Sequence, residues 1–190
     1  MKKQDKQLLA FAGIGLGILL LPRLASAANP SSGVAQLSYL GQKGLPLGMS
    51  RNNPGNIVRG VNYKGEIFLD SARFAQFETW AMGIRAMISL LTKYITKGSS
   101  YPNPCVTSPQ NTVRLIINQW APKASCGGDN QDTVVDQYVR FVADKTGYGP
   151  DKILQANQET IRRLVMAMSR VEQGRDCVTA DQFNYAYTLL

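Results

Sequence analysis

The sequence predicts a mainly α-helical domain with a small β-hairpin region, an α+β architecture. Between residues 57 and 77, short apolar pieces are interrupted by Gly60, Gly65 and Asp70, a pattern typical of short irregular strands. From residue 84 onwards, apolar residues recur at helical spacing in successive segments. With 190 residues, of which 44% are hydrophobic, the chain is long enough for one such domain and a short appendage.

Residues 1–28 consist of a positively charged head and an apolar stretch. Three lysines precede 14 uncharged residues, Leu8 to Leu21, and the small residues Ala25 and Ala27 follow. This arrangement predicts a secretory signal peptide. Extending the apolar stretch to Ala28 gives 21 residues, enough for an uncleaved hydrophobic helix that anchors the protein in a membrane. The sequence is compatible with both, and in either case the positive head predicts that the body lies outside the cytoplasm.

Residues 29–47 are rich in Pro, Ser, Gly and Gln and predict a linker or extended arm, so that one globular domain occupies residues 48–190. Within this domain, five helices are predicted from apolar faces that have recognisable start and stop signals. The predicted faces cover residues 84–95, 113–120, 134–142 and 161–171, and a fifth helix runs through Phe183. Thr112 is a predicted cap, Gly174 a predicted helix end, and Thr179 with Gln182 a capping box.

Composition excludes several classes of function. The chain has 21 basic and 13 acidic residues, a net charge of +8, which suits a polyanionic partner such as a cell wall or an anionic membrane surface. No basic run is interleaved with aromatic residues, so nucleic acid is not a predicted partner. Histidine is absent, which excludes Ser-His-Asp triads, Cys-His dyads and the common zinc motifs. We predict no metal and no cofactor, and glycosidase chemistry stays open because it needs only carboxylates.

The three cysteines predict one disulfide bond. Cys105 and Cys126 flank the predicted helix at 113–120, so they are the expected pair, and Cys177 is left over.

The segment Arg51–Ile57 combines turn signals with an unusual number of polar side chains. Asn-Pro-Gly-Asn predicts a turn. Arg51, Asn52, Asn53 and Asn56 could in addition bind hydroxyl or N-acetyl groups, because each amide both donates and accepts hydrogen bonds. The alternatives are that Arg51 pairs with an acid and that the asparagines cap the chain locally. We take these four residues as predicted substrate-binding residues.

Glu172 is the candidate catalytic residue. It lies at the C-terminal end of an apolar helix, where the helix dipole disfavours an anion. A carboxyl group packed there against Met168 and Val171 is expected to have a raised pKa, as a general acid requires. The alternative is a solvated glutamate at a helix end. A hydrolase would also need a second carboxylate, for which Asp70 or Glu66 is the candidate.

An ordered series of motifs carries a resemblance. The motifs are Arg51-Asn-Asn-Pro-Gly-Asn-Ile57, Phe74-Ala-Gln-Phe77, Gly83-Ile-Arg-Ala86, Trp120-Ala-Pro122 and Glu172-Gln-Gly174. Over about residues 48 to 175 the chain resembles a family of small phage and prophage virion (structural) proteins. It differs from the family pattern in having two asparagines before the proline rather than three, Tyr63 where a tryptophan is common, and a Cys-Gly-Gly insertion before Asp129. The resemblance implies a phage context and peptidoglycan.

The end of the predicted fourth helix carries a second resemblance. Ala167-Met-Ser-Arg-Val-Glu172-Gln-Gly174 is similar to the helix end that holds the catalytic glutamate in lysozyme-like lytic transglycosylases and goose-type lysozymes. This similarity implies a lysozyme-like architecture. In those families, however, the helix precedes the hairpin, so a match here requires a circular permutation.

The predicted function is a virion-associated peptidoglycan-degrading glycosidase or lytic transglycosylase that acts during cell-wall penetration or lysis. The alternative is a non-catalytic virion or membrane structural protein that binds glycan or other virion proteins. Predicted partners are glycan strands and, if the N-terminus is uncleaved, a membrane through residues 8–28. The predicted location is the virion, in association with membrane, or the periplasm. A concave pocket shared by Glu172, Asn52, Asn53 and Asn56 would favour the enzyme.

Overall fold

A computed structural model describes residues 30–60, 62–101 and 103–190. The described residues form six α-helices and one small two-stranded antiparallel sheet, which confirms the mainly α class with a minor β part. In chain order the elements are α1 (Pro30–Ala35), β1 (Glu66–Ile67), β2 (Gln76–Phe77), α2 (Trp80–Thr96), α3 (Val113–Trp120), α4 (Asp132–Thr146), α5 (Gln158–Gln173) and α6 (Ala180–Thr188). The hydrophobic segment of residues 1–28 lies outside the described residues. Among the helices that are described, none has the length and apolar character needed to cross a bilayer.

Four of the described α-helices, α2, α3, α5 and α6, begin at a side-chain cap. Thr112 accepts a hydrogen bond from Leu115 N, and Thr179 forms a complete capping box with Gln182. The predicted caps and the predicted helix end at Gly174, which is left-handed, are therefore confirmed. Helix α2 starts earlier than its apolar face suggested, because Thr79 caps it.

Helix α2 lies at the centre of the core. Its side chains Ile84, Met87, Ile88 and Leu91 are completely buried. The helix packs against α3, α5, α6 and β2, while α4 packs against α3 and α5. Completely buried residues of the surrounding helices complete the core: Ile116, Ile117, Leu164, Met168 and Phe183. The buried face of α5 fixes this helix, and with it the position of Glu172 at its end.

The hairpin region is short and irregular, as predicted. Glu66 is opposite Phe77 in the register, and Ile67 is opposite Gln76. An isolated bridge joins Val58 to Phe74. Phe77 is completely buried, so this small sheet packs its β2 face on the helical core.

The predicted linker or arm lies against the domain. Leu37, Tyr39 and Leu45 are partly buried against the core. Trp80 N donates a hydrogen bond to Leu37 O at 2.8 Å, which ties the segment to the start of α2. Residues 33–47 thus contribute to the packing of the domain instead of acting as a free spacer.

The predicted disulfide bond is confirmed. Cys105 and Cys126 are bonded across 21 positions of the sequence, and the third cysteine, Cys177, is a free thiol. Burial raises the pKa of the Cys177 thiol to about 11, so the thiol stays protonated and unreactive near neutral pH.

Candidate functional site

A groove of about 820 Å³ opens between α2, the hairpin region and two loops that follow α2 and α3. Its polar lining is rich in amides, supplied by Asn56, Asn62, Asn103, Gln119 and Asn130. Each amide can donate and accept hydrogen bonds, which suits a ligand that carries many hydroxyl or acetamido groups.

Aromatic side chains form a second part of the lining. Tyr63, Tyr94, Tyr101 and Trp120 all face the groove, and the rings of Tyr94 and Trp120 meet edge to face at 6.4 Å. Burial raises the pKa of both Tyr63 and Tyr94 to about 12, so these phenols remain neutral hydrogen-bond donors. Such rings offer an apolar face and a polar hydroxyl or N–H group, which match the apolar faces and the hydroxyl groups of a ligand such as a sugar.

The charge of the groove is positive. Arg59, Arg73, Arg85 and Lys93 line it, whereas Asp129 is the acidic residue among its described lining residues. Asp129 and Arg73 form an exposed ion pair at 3.3 Å. Arg59 lies 3.8 Å from carboxylate oxygens of both Glu66 and Asp70. Arg85 and Lys93 therefore carry the excess positive charge that attracts an anionic ligand.

Glu172 is not among the described residues that line the groove, so the concave pocket expected to be shared by Glu172, Asn52, Asn53 and Asn56 is not formed. Glu172 lies behind the lining residues Asn56 and Trp120. Asn56 Nδ2 donates to its Oε2 at 2.9 Å, Trp120 Nε1 donates to its Oε1 at 3.1 Å, and Tyr138 OH donates to the same Oε1 at 3.0 Å. Asn56 and Trp120 also line the groove, so these two side chains stand between the carboxylate and the open space and contact both. Helices α3, α4 and α5 and the Asn-rich turn all meet at this one group.

Burial raises the pKa of Glu172 to about 6, and the three hydrogen bonds act in the opposite direction. The predicted direction is therefore confirmed, with burial as the largest cause. Part of the residue remains accessible to solvent. Burial and the neighbouring Glu172 raise the pKa of Tyr138 well above its usual range, so its hydroxyl stays a donor. Oε2 accepts only one of the three side-chain bonds, so it is the oxygen that has room for a proton.

Asn56 is the predicted binding residue that the structure brings to both Glu172 and the groove. It has a left-handed backbone with φ of 47°, a conformation that asparagine tolerates better than most residues. Its side chain also donates to the main-chain oxygen of Glu172 at 3.2 Å. The turn therefore aims one of its three amides at the end of α5.

Asn52 and Asn53 lie in the interior, with no exposed surface. Asn53 Nδ2 donates to Ile57 O at 2.9 Å and to Ala75 O at 3.0 Å, and its Oδ1 accepts from Ile57 N at 2.8 Å. Asn52 Oδ1 accepts from Tyr39 N at 2.7 Å, and its Nδ2 donates to the main chain of the hairpin. These side chains satisfy buried backbone groups, so the expectation that they bind substrate is corrected: they hold the turn against the hairpin.

Arg51 and Asp70 form a bidentate ion pair outside the groove. Arg51 Nη2 lies 2.7 Å from Asp70 Oδ2, and Nη1 donates to Oδ1 at 3.3 Å. The hydrogen bond from Arg51 is the largest cause that lowers the pKa of Asp70. Neither residue lines the groove, so the structure does not place Arg51 at a ligand or Asp70 beside Glu172. Glu66 is also held within the hairpin region, where its Oε2 accepts from Tyr63 N at 3.0 Å.

Sequence reasoning missed Trp120 and Tyr138 as partners of Glu172. Trp120 belongs to the Trp-Ala-Pro motif, which was a usable signal, whereas Tyr138 looked like an ordinary core residue on the apolar face of α4. It also missed Gln173, whose Nε2 donates to Pro54 O at 3.0 Å and whose Oε1 accepts from Met49 N at 3.0 Å. Gln173 thereby fixes the end of α5 to the Asn-rich turn.

No protein-family model matches this chain, and a search of curated proteins gave no significant match. The described residues contain no cluster of three or more acidic or cysteine side chains that could bind a metal ion. The chemistry of the groove and of Glu172 is thus what indicates a function.

Proposed function

We propose that this protein is a peptidoglycan-cleaving glycosidase of the lytic transglycosylase type, with Glu172 as its general acid and base. One observation carries the proposal: a carboxyl group with a pKa of about 6 lies behind the floor of a groove lined by aromatic rings, amides and cations. The rings and amides suit the sugar and N-acetyl groups of a glycan, and the cations suit its acidic substituents.

In this mechanism, protonated Glu172 donates its proton from Oε2 to the glycosidic oxygen as the bond to the anomeric carbon breaks. The carboxylate that remains then accepts a proton from a hydroxyl group of the same sugar, whose oxygen attacks the anomeric carbon and closes a ring. Glu172 is thereby protonated again. Hydrogen bonds from Trp120 and Tyr138 to Oε1 stabilise the carboxylate between the two steps.

The position of Asp70 favours a transglycosylase over a hydrolase. Hydrolysing glycosidases use two carboxylates that flank the bond to be cleaved. Asp70 is instead engaged by Arg51, and neither of these residues lines the groove. Ring closure by the substrate needs no second carboxylate.

The biological setting belongs to the same proposal. The motif series supports a phage virion context and action during wall penetration or lysis. The helical content, the small hairpin and a glutamate at the end of a buried helix support a lysozyme-like architecture with its helix and hairpin in the opposite order. The Cys105–Cys126 bond supports a location outside the cytoplasm, in the virion or the periplasm.

Zymography of the exported protein on purified peptidoglycan tests the enzyme. Glu172→Gln keeps the shape of the side chain and removes the proton, so turnover should fall by about 100-fold or more while folding is retained. Glu159→Gln changes an exposed glutamate on the same helix and should leave turnover unchanged. Mass spectrometry should find products one water molecule lighter than hydrolysis products. Unchanged degradation by Glu172→Gln would show that the catalytic assignment is wrong.

A non-catalytic glycan-binding virion protein is the second candidate. Both oxygens of Glu172 already accept hydrogen bonds, and the donors come from three different parts of the chain. Such an arrangement also suits a carboxylate that only holds helices together. If the wild-type protein binds peptidoglycan and releases no fragments, this second function replaces the first.

A further inference from the structure

One wall of the groove is a single face of α2. Arg85, Ser89 and Lys93 all line the groove, and they follow one another at intervals of four residues. Residues at this spacing lie one above the other on a helix. The two cations are eight residues apart, which corresponds to about 12 Å along the helix axis.

Both cations keep donors free for a ligand. Arg85 Nε donates to Leu189 O at 2.8 Å, which orients the guanidinium and leaves its two terminal nitrogens without a carboxylate partner among the described residues. Lys93 Nζ donates to Ser100 Oγ at 2.6 Å, and an ammonium group has three donors. By contrast, Arg51, Arg114 and Arg163 are engaged by carboxylates.

We propose that the α2 face reads carboxylate groups that recur once per disaccharide along a glycan strand, with Arg85 and Lys93 contacting two successive carboxylates. This inference rests on the proposed function for the glycan nature of the ligand. The distance along α2 is of the order of a disaccharide, because two sugar rings in an extended strand span a comparable length. The aromatic lining residues Tyr63, Tyr101 and Trp120 would hold the sugar rings themselves.

The charges elsewhere in the groove support this division of roles. Arg73 is neutralised by Asp129, whereas no acidic residue of the described chain pairs with Arg85 or Lys93. An acidic glycan strand would therefore displace solvent from the α2 wall without breaking an ion pair within the protein. A neutral glycan would leave both cations uncompensated, so the groove should discriminate between the two.

The carboxylates can come from two sources in peptidoglycan. They belong to the lactyl group on alternate sugars when the strand is stripped of peptide, and to the peptide stem when it is intact. Both sources repeat once per disaccharide. Soluble strands of matched length in the stripped and the peptide-bearing form distinguish them, and chitin oligosaccharides provide the neutral control.

The test measures dissociation constants for these three probes with the full chain carrying Glu172→Gln, so that cleavage does not interfere. We expect Arg85→Gln with Lys93→Gln to weaken binding of at least one acidic probe about tenfold and to leave chitin binding unchanged, because each exposed charge contact contributes a few-fold. Arg140→Gln with Lys97→Gln removes the same charge from exposed positions outside the groove and should change neither. Raised salt should reduce the preference for acidic probes.

Lys93→Gln alone keeps the test decisive if the double variant is poorly folded, because Lys93 is exposed and its replacement does not disturb the core. It should weaken acidic binding by a few-fold. Equal losses in the groove and control pairs, or equal affinity for acidic and neutral probes, would overturn the inference, as would the absence of binding to any probe. Selective binding without fragment release by the wild-type protein would instead uphold the inference and reject the enzyme.

Discussion

Folding raises the pKa of Glu172 from its ordinary 4.5 to about 6 because the carboxyl group is buried. The native state therefore holds this proton more tightly than the unfolded chain does. The resulting stabilisation is fully present below about pH 4.5 and is lost as the pH rises through about 6. The difference between the two pKa values corresponds to about 2 kcal/mol. At neutral pH the protein thus tolerates a buried carboxylate that lowers its stability.

The first prediction compares urea unfolding of the wild type and Glu172→Gln at about pH 4 and about pH 7.5. Because glutamine does not titrate, the variant should gain about 2 kcal/mol relative to the wild type between the two conditions. Glu159→Gln is the matched control. Hydrogen bonds from Arg163 and Arg162 lower the pKa of Glu159, so its contribution is lost as the pH falls and the sign of the change should reverse. If the difference in unfolding free energy between the wild type and Glu172→Gln does not change with pH, the Glu172 carboxyl group is not buried as the structure shows.

At the level of secondary structure, α2 and the Asn-rich turn approach each other very closely. A Cβ atom added to Gly83 would lie 1.8 Å from the main-chain oxygen of Asn52 and 2.9 Å from Pro54. No side chain fits there, because both neighbours are held by the buried hydrogen bonds of Asn52 and Asn53. The glycine of the Gly83-Ile-Arg-Ala86 motif therefore allows the turn to pack closely against α2. Arg85 of the same motif faces the groove.

The second prediction is that Gly83→Ala destabilises the protein by about 3 kcal/mol or more, since the turn must move away from α2. It should also weaken glycan binding, because displacement of the turn moves Asn56 away from Glu172. Gly33→Ala is the control: a Cβ atom there meets nothing within 4 Å, and alanine favours the helix. Urea unfolding and strand binding measure the two effects. A Gly83→Ala protein as stable as the wild type would show that the turn is free to shift.

Helices could be predicted from the sequence because their signals are local. Thr112, Thr179 and Gly174 act on backbone groups a few residues away, so their roles are visible in a short window. The packing of residues 33–47 was not predicted, because a segment rich in Gly and Pro looks like a linker. Its contacts come from Leu37 and Tyr39, which reach α2 and the turn over long sequence distances.

The candidate site could be predicted only in part. Glu172 stood out because an anion at a helix C-terminus contradicts the helix dipole. The sequence could not show which amides of the turn are buried and which one lines the groove. Asn52, Asn53 and Asn56 have the same chemistry and differ only in the direction in which the folded turn points each side chain. Their burial depends on the hairpin, which pairs with the turn about 20 positions later in the sequence.

In the molecule as a whole, the groove is assembled from distant segments that one covalent bond connects. Tyr101 and Asn103 line it from the loop after α2, and Gly127 and Asn130 line it from the loop after α3. The Cys105–Cys126 disulfide bond joins these two loops at the rim. Among the described residues of these two loops, the one helical element is the three-residue 3-10 turn Ala124–Cys126. The bond is therefore expected to limit the width of the groove as well as the freedom of the unfolded chain.

The third prediction concerns Cys105→Ser with Cys126→Ser. A loop of 21 positions predicts a loss of about 3 kcal/mol in the free energy of unfolding, chiefly because the unfolded chain is no longer constrained. Binding of glycan strands should weaken as well, because the two rim loops separate. The contacts of Trp120 and Tyr138 with Glu172 lie within the helical part of the protein and should persist. Cys177→Ser, which removes the free thiol, is the control and should affect strand binding little. Reduction of the wild-type protein should reproduce both effects of the double variant. If reduction lowers stability and leaves strand affinity unchanged, the bond stabilises the fold without shaping the groove; if it changes neither, the two loops are held in place by their own packing.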